Sequence, residues 1–151
     1  MDKLETIASF EGKFAFLSNF FPSPIFHENI LYPTNEHFFQ AMKTMNIDER
    51  EAIAKAKTPG IAKRMGRRVT LRPDWEEIKI EVMRLGLMLK FTNRELAEQL
   101  LATGDADLIE GNTWHDNTWG ICFCEKCGCV GKNWLGHLLM ELREELKKER
   151  E

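Results

Sequence analysis

The sequence predicts a mainly α-helical fold, α+β only in the sense of a minor small sheet. Three observations predict it. Apolar residues recur at helical spacing after Thr34, most plainly in Trp75, Ile78, Val82, Leu85 and Leu89. Helix-starting residues, Thr34, Asp48 and Thr58-Pro59, stand just ahead of the periodic stretches. Strand-like alternation is confined to Phe14-Ala15-Phe16 and Ile25-Phe26, in a first third broken by Pro22, Pro24 and Pro33. The 151 residues are 43% hydrophobic, with ten Phe, four Trp and seven Met, which excludes disorder and suits one core. With no repeat, linker or low-complexity tract, residues 1–151 read as a single compact multihelical domain.

Taken in order, the prolines limit the first third to short strands, giving a small sheet or an ordered loop. Thr34 caps a helix expected from Asn35 to Met45, with Glu36 in its first turn and Phe38, Ala41, Met42 and Met45 on one face. Asp48 with Glu51 resembles a capping box for a second helix through Lys57. Thr58-Pro59 opens a third that stops near Gly66. The longest apolar periodicity starts at Pro73 or Asp74 and runs to Phe91, and a short helix follows from Arg94 to Ala102. Leu108-Ile109-Glu110 reads as extended, and an amphipathic helix from Asn133 or Leu135 to Glu149 closes the chain.

Composition also limits function. A net charge of -3 argues against holding long nucleic acid by bulk attraction. Met1-Asp2-Lys3-Leu4-Glu5 has nothing of a signal peptide's apolar region, and no apolar run reaches the roughly 18 residues of a membrane span. A cytoplasmic protein without a membrane partner is expected. Cys122, Cys124, Cys127 and Cys129 fall within one short hairpin, so they cannot staple distant parts of a secreted fold. All four are weak candidates for a metal, because zinc fingers usually draw two ligands from each of two knuckles; no metal and no cofactor is assigned.

Three stretches hold residues suited to chemistry. Glu36, Gln40 and Lys43 lie at i, i+4 and i+7 on the first helix, opposite its apolar face, with carboxylate and ammonium about 10 Å apart along the axis. Such a stripe is either a solvated helix face or a pocket wall, with Glu36 as acid or base and Lys43 as clamp or amine nucleophile. Lys55, Lys57, Lys63, Arg64, Arg67, Arg68 and Arg72 form a basic run with no acidic residue inside it. It is either surface charge or an anion site, where Lys63 would be helped by the amides of the helix that Thr58-Pro59 opens.

The third stretch is Glu110 to Gly120, where Trp114, His115, Asp116 and Trp119 are crowded together. Two indoles, carboxylates and an imidazole suit a loop that stacks on a planar base and handles a proton; equally, the tryptophans could pack into the core.

An ordered set of short motifs completes the reading: Leu17-Ser18-Asn19-Phe20-Phe21-Pro22, Tyr32 through Lys43, Gly60-Ile61-Ala62-Lys63 with Gly66-Arg67, Asp74-Trp75, Lys90-Phe91, Asp116 through Gly120, and Gly131 through Gly136. In this order the sequence resembles the NADAR superfamily, the YbiA-like N-glycosidases, over nearly its whole length. The resemblance implies a YbiA-like helical domain that hydrolyses the bond between a phosphorylated ribose and a base amine. Its substrates would be ribosylamino-pyrimidine phosphates of riboflavin synthesis, or ADP-ribosylated guanine in a nucleotide or nucleic acid. It carries a role to Asn19, Glu36, Lys43, Trp75, Asp116 and Trp119, with Lys63 and Arg67 on the phosphate side.

Glu36, Lys43 and Asp116 are thus the catalytic candidates, and Asn19, Lys63, Arg67, Trp75, Trp114 and Trp119 the substrate-binding ones. No metal or redox cofactor is called for. The competing class is a non-catalytic module that binds ADP-ribose or a nucleotide, and a third possibility is a metal-dependent interaction protein built on the cysteine hairpin. The oligomeric state is not readable from the sequence.

Overall fold

The computed structural model describes residues 5–150; of the stretch read for a leader, all but Glu5 lies outside the described residues. The chain forms two compact units, one spanning Asn19–Lys90 and the other gathering the described residues up to Ser18 and from Phe91 onward. Both are built mainly of helices; the first adds one hairpin and the second adds strands of two residues each.

In the Asn19–Lys90 unit, β1 (Pro22–His27) and β2 (Ile30–Thr34) make an antiparallel hairpin with Ile25 opposite Tyr32 and Phe26 opposite Leu31. Glu28 and Asn29 turn it with φ of 48° and 68°, the left-handed pair that a two-residue hairpin with matching twist requires. The register shifts between Pro22 and Ile25, where Pro22 and Pro24 have no N–H to give a ladder. Ile25 and Tyr32 face the core, while Phe26 and Leu31 are exposed.

Thr34 then caps α1 (Asn35–Ala41), its hydroxyl accepting from His37 N at 3.2 Å. The helix stops short of the expected Met45, which is exposed and so leaves the predicted apolar face. The reason lies in the next helix, α2 (Ile47–Ala54), which is capped by Asn46 rather than Asp48. Asn46 Oδ1 accepts from Glu49 N at 3.1 Å, and Thr44 Oγ1 both accepts from Asn46 N and donates to Glu49 Oε1. These side chains hold residues 44–46 in a capping conformation that continuation of α1 would destroy. Asp48 instead favours the helix dipole from the first turn.

Helix α3 (Pro59–Gly66) starts as expected, Thr58 Oγ1 accepting from Ile61 N at 3.1 Å. Helix α4 (Trp75–Lys90) follows a turn in which Arg72 grips Asp74 through two hydrogen bonds, of 2.7 and 3.2 Å. Helix α1 packs against α2, α3, α4 and the hairpin. Two glycines permit this: a Cβ at Gly66 would fall on the Gln40 amide, and one at Gly86 on Asn35 Oδ1 and the Phe38 ring.

In the second unit, β3 (Thr6–Ile7) pairs in parallel with β4 (Asp107–Leu108), and Ile109 N extends the pairing to Ile7 O at 2.9 Å. The strand expected at Phe14-Ala15-Phe16 is instead a 3₁₀ helix over Gly12–Leu17. Bonds from Phe14 N to Glu11 O and from Ser18 N to Ala15 O close its turns, and two alternating aromatics are too few to separate a strand from such a coil. Helix α5 (Arg94–Ala102) matches its predicted bounds and is capped by Asn93. Strands β5 (Gly111–Asn112) and β6 (Ile121–Cys122) pair in parallel, and α6 (Trp134–Glu149) ends the unit. Asn133, at φ 52°, braces the start of α6 by donating to Leu108 O at 2.9 Å and accepting from Glu110 N at 3.0 Å. Among the described residues no helix is long and apolar enough to cross a membrane.

Gly86 and Gly60, both in helices, should respond oppositely to alanine. Gly86→Ala is expected to lose about 1–3 kcal/mol by overpacking α1 against α4. Gly60→Ala, whose Cβ would meet only Thr58 Oγ1 at 3.8 Å, should gain up to about 1 kcal/mol from the lower entropy of its unfolded chain. Urea denaturation of the two variants beside the parent measures both.

Candidate active site

The polar stripe of α1 does not meet water. All seven residues of the helix are buried, and Glu36 and Gln40 keep 7% and 4% of their exposure, which decides against the solvated-face reading. Glu36 Oε2 accepts from Gln40 Nε2 at 2.6 Å, one helical turn on. Glu36 N donates to Asn19 O at 3.0 Å, and Asn35 Nδ2 donates to Asn19 Oδ1 at 2.8 Å. Asn19, itself buried, thereby fixes the first turn from the segment ahead of the hairpin.

Lys43 stands just past the end of α1, half-buried, with its N–H donating to Gln40 O at 3.2 Å. Burial lowers its pKa below the ordinary lysine value, and the cations of Arg67 and Lys63 push it the same way. Glu36 and Glu76 oppose them. Four charged side chains from α1, α3 and α4 therefore act on one amine. Its Nζ lies 6.0 Å from the centre of the Phe39 ring, which meets Trp75 edge-on at 5.0 Å. Trp75 is buried, with one side given to Phe39.

The basic run divides. Lys55, Lys57, Arg64, Arg67 and Arg68 are exposed, Lys63 is half-buried, and Arg72 is committed to Asp74. Lys63 and Arg67 are the two whose charge is felt by Lys43. Lys63 sits in the last turn of α3, however, and Arg67 is its C-cap, so the helix N-terminal amides expected to assist Lys63 are at the other end. Any anion held here would be held by side chains. A second lysine, Lys90, quoted in the sequence only as part of a motif, is 1% exposed at the end of α4; burial brings its pKa down to about 7.

Asp116, Trp114 and Trp119 belong to the other unit. Asn112 and Asp116 lock this loop: Asp116 N donates to Asn112 Oδ1 at 3.1 Å, and Asn112 Nδ2 donates to Asp116 O at 2.9 Å. Asp116 Oδ1 accepts from Thr118 N at 3.1 Å and Trp119 N at 2.9 Å, so one carboxylate oxygen shapes the turn. Trp119 is half-buried, and Trp114 is 58% exposed, which rules out the core reading for that indole.

The cysteines do not gather as the hairpin suggested. Cys122, Cys124 and Cys127 group with His115, their ligand atoms all within 4.8 Å of one another, while Cys129 stays outside the group. The sequence reading also passed over Glu76 as a modulator of Lys43; its one visible signal was its place beside Trp75 in the first turn of α4.

The NADAR domain family matches residues 8–147, which takes in both units. The N-glycosidase YbiA of Escherichia coli (strain K12) is 45% identical over 136 residues, covering 88% of this chain and 82% of that protein. A riboflavin biosynthesis protein of Vibrio vulnificus (strain YJ016) is 38% identical over 136 residues, 88% of this chain and 36% of its own length. The NMR structure of the E. coli protein YbiA matches with a TM-score of 0.82 at 41% identity, over 97% of this chain and 88% of that one. A family match of this extent, with relatives above 30% identity across most of the chain and the same fold in a solved structure, shows that the chain belongs to the NADAR domain family.

Proposed function

We propose that the chain is an N-glycosidase, a hydrolase that cleaves the bond between a phosphorylated ribose and an exocyclic amine of a base. The observation that carries the reading is the enclosure of the Glu36 carboxylate together with a desolvated Lys43 amine, flanked by Lys63 and Arg67. A module that merely bound a nucleotide has no use for an amine whose proton affinity is lowered. The relatives' names support the reaction class, and the Vibrio relative's name supports a ribosylamino-pyrimidine phosphate as substrate. ADP-ribose on the guanine amino group is the second substrate of the proposal. Residues 1–151 are taken as one catalytic domain, a reading that the family match over residues 8–147 supports.

The bond breaks by one of two routes. In the first, a carboxylic acid, Glu36 or Asp116, protonates the departing amine as an oxocarbenium-like sugar forms, and water adds to C1. In the second, the sugar ring opens to an iminium at C1, the Lys43 amine adds there, and the base amine leaves with a proton from a carboxylic acid. Water then hydrolyses the lysine imine and returns the free amine. The lowered pKa of Lys43 supports the second route, since a larger fraction of the side chain is unprotonated near neutral pH. Lys63 and Arg67 would hold the phosphate, with Asn19 and Trp75 of the same unit around ribose and base.

Incubation with ribosylamino-pyrimidine phosphate and, separately, with ADP-ribosylated guanosine should release the free base amine from at least one, resolved by mass. Binding of both without product would leave the non-catalytic module. Glu36→Gln should lower kcat by about 10²–10⁴-fold with the fold intact, as loss of a general acid or base does; a near-normal rate removes Glu36 from the chemistry.

Lys63→Ala and Arg67→Ala should weaken the phosphorylated substrate far more than its dephosphorylated analogue. Equal losses in KM for both would show that these cations do not read phosphate.

For Lys43, borohydride added during turnover should fix the sugar on the peptide containing Gln40-Ala41-Met42-Lys43, and Lys43→Arg should abolish adduct and activity together. The rise of kcat with pH should have its midpoint below 10.5, the ordinary lysine value, and Arg67→Ala should move it upward because a removed cation restores the ammonium. An active Lys43→Arg variant would leave only the oxocarbenium route.

A further inference from the structure

We propose that His115, Cys122, Cys124 and Cys127 form a structural zinc site that fastens the Asp116 loop. Three segments of the second unit supply the ligands: the loop after β5 gives His115, β6 gives Cys122, and the turn after β6 gives Cys124 and Cys127. His115 Nδ1 lies 3.2 Å from Cys127 Sγ, 3.4 Å from Cys124 Sγ and 3.9 Å from Cys122 Sγ. One imidazole nitrogen has a single proton or a single lone pair and cannot hydrogen-bond three sulfurs at once. Tetrahedral zinc, about 2.3 Å from sulfur and 2.0–2.1 Å from nitrogen, sets nitrogen-to-sulfur edges of about 3.6 Å, and the three distances scatter around that value.

The donor chemistry agrees. Three thiolates and one imidazole in a tetrahedron select zinc over harder cations such as magnesium or calcium, which take oxygen. Cys124 to Cys127 is built as a metal-binding knuckle: Cys127 N donates to Cys124 Sγ at 3.4 Å, Gly128 N donates to Cys124 O at 3.2 Å, and Gly128 takes φ of 65° to make the turn. Asn117 Nδ2 supports the site from outside, 3.8 Å from Cys127 Sγ. His115 itself has φ of 70°, a left-handed conformation that histidine adopts more often than most side chains. All four positions are filled by the protein, so the ion has no open site for water and its role is structural.

Its effect falls on the loop. Asp116 follows His115 directly, and its carboxylate caps the amides of Thr118 and Trp119. The strands on either side have two residues each, too few to hold a loop by themselves, and Thr113, Trp114 and His115 are all exposed. An ion tying residue 115 to residues 122–127 supplies the constraint that a core would otherwise give.

Co²⁺ titrated into the reduced full-length protein tests this without any variant. One equivalent should give the thiolate charge-transfer band and the intense visible bands of a tetrahedral site, and Zn²⁺ should bleach them. His115→Ala should weaken zinc by about 100-fold or more, whereas Cys129→Ser should leave affinity and spectrum unchanged. Removing zinc with a chelator should speed amide exchange across residues 113–130 and leave residues 35–66 as they were. A reduced protein that gives no tetrahedral cobalt spectrum would overturn the proposal, as would loss of the site in Cys129→Ser with full retention in His115→Ala. Unchanged exchange in the loop of the zinc-depleted protein would overturn its structural role.

Discussion

Helix α1 is seven residues long and has no side left for water. A helix in that position would ordinarily be apolar all round, yet four of its side chains, Asn35, Glu36, His37 and Gln40, are polar. Burying such groups without partners costs about 1–3 kcal/mol each, more for a charge; the surroundings of α1 answer most of their polar atoms, while Asn35 Oδ1 and Gln40 Oε1 have no hydrogen-bond partner among the described residues. Asn19 answers from the preceding segment, through its backbone to Glu36 and its side chain to Asn35. Gly66 and Gly86 answer by having no side chain where the amides of Gln40 and Asn35 must pass. His37 is answered at both ring nitrogens, by the Thr34 hydroxyl at 2.8 Å and by Ala56 O at 3.0 Å; burial lowers its pKa, and the bond to Ala56 O opposes that shift. The Asn19–Lys90 unit is in this sense a housing for one short polar helix.

That housing explains the electrostatics of Lys43. It stands where α1 ends and its enclosure begins to open, so its amine is desolvated without being sealed off. Helix α3 brings cations to it and α1 and α4 bring carboxylates, with Glu36 the largest of the attractive influences. Because α3 presents its C-terminal end here, its dipole adds nothing to the attraction for an anion, and the side chains of Lys63 and Arg67 must supply it alone. The fold thus places the buried Glu36 carboxylate on α1 and the half-buried Lys43 amine just past its end, with the cations of Lys63 and Arg67 on α3 and its C-cap.

Much of this was legible in the sequence because it is local. Thr58-Pro59 and the bounds of α5 follow from capping and periodicity within one helix. The hairpin turn was not, since Glu28-Asn29 lacks the glycine that usually announces a left-handed pair. The end of α1 was missed because it is decided by Thr44 and Asn46 serving α2, a competition between neighbouring helices that no single periodic pattern records. The stripe Glu36, Gln40, Lys43 was visible as a stripe, but spacing cannot say whether water or protein covers it; that depends on Gly66 and Gly86, far along the chain. Family resemblance, which rests on the ordered motifs and not on any of these forces, reached the same residues by another path.

The cysteines show the same limit from the other side. Four thiols within eight residues invite the assumption that they act together, and the count of four matches a tetrahedron. Geometry at the turn decides otherwise. Cys129 follows Gly128, and both take left-handed φ, 61° and 65°, while Cys129 is exposed; Cys122 is buried in β6. The group is completed instead by His115, which pairing of β5 with β6 brings within reach, Asn112 opposite Cys122. Asn112 is therefore engaged twice, in the strand pair and in its reciprocal bonds with Asp116. The loop that carries Asp116 and Trp119 is ordered through short-range polar contacts and a convergent set of ligands, whereas α1 is ordered by burial. Each way of holding a residue suits its setting: enclosure lowers the proton affinity of Lys43, and a polar turn at the surface keeps the Trp114 indole open.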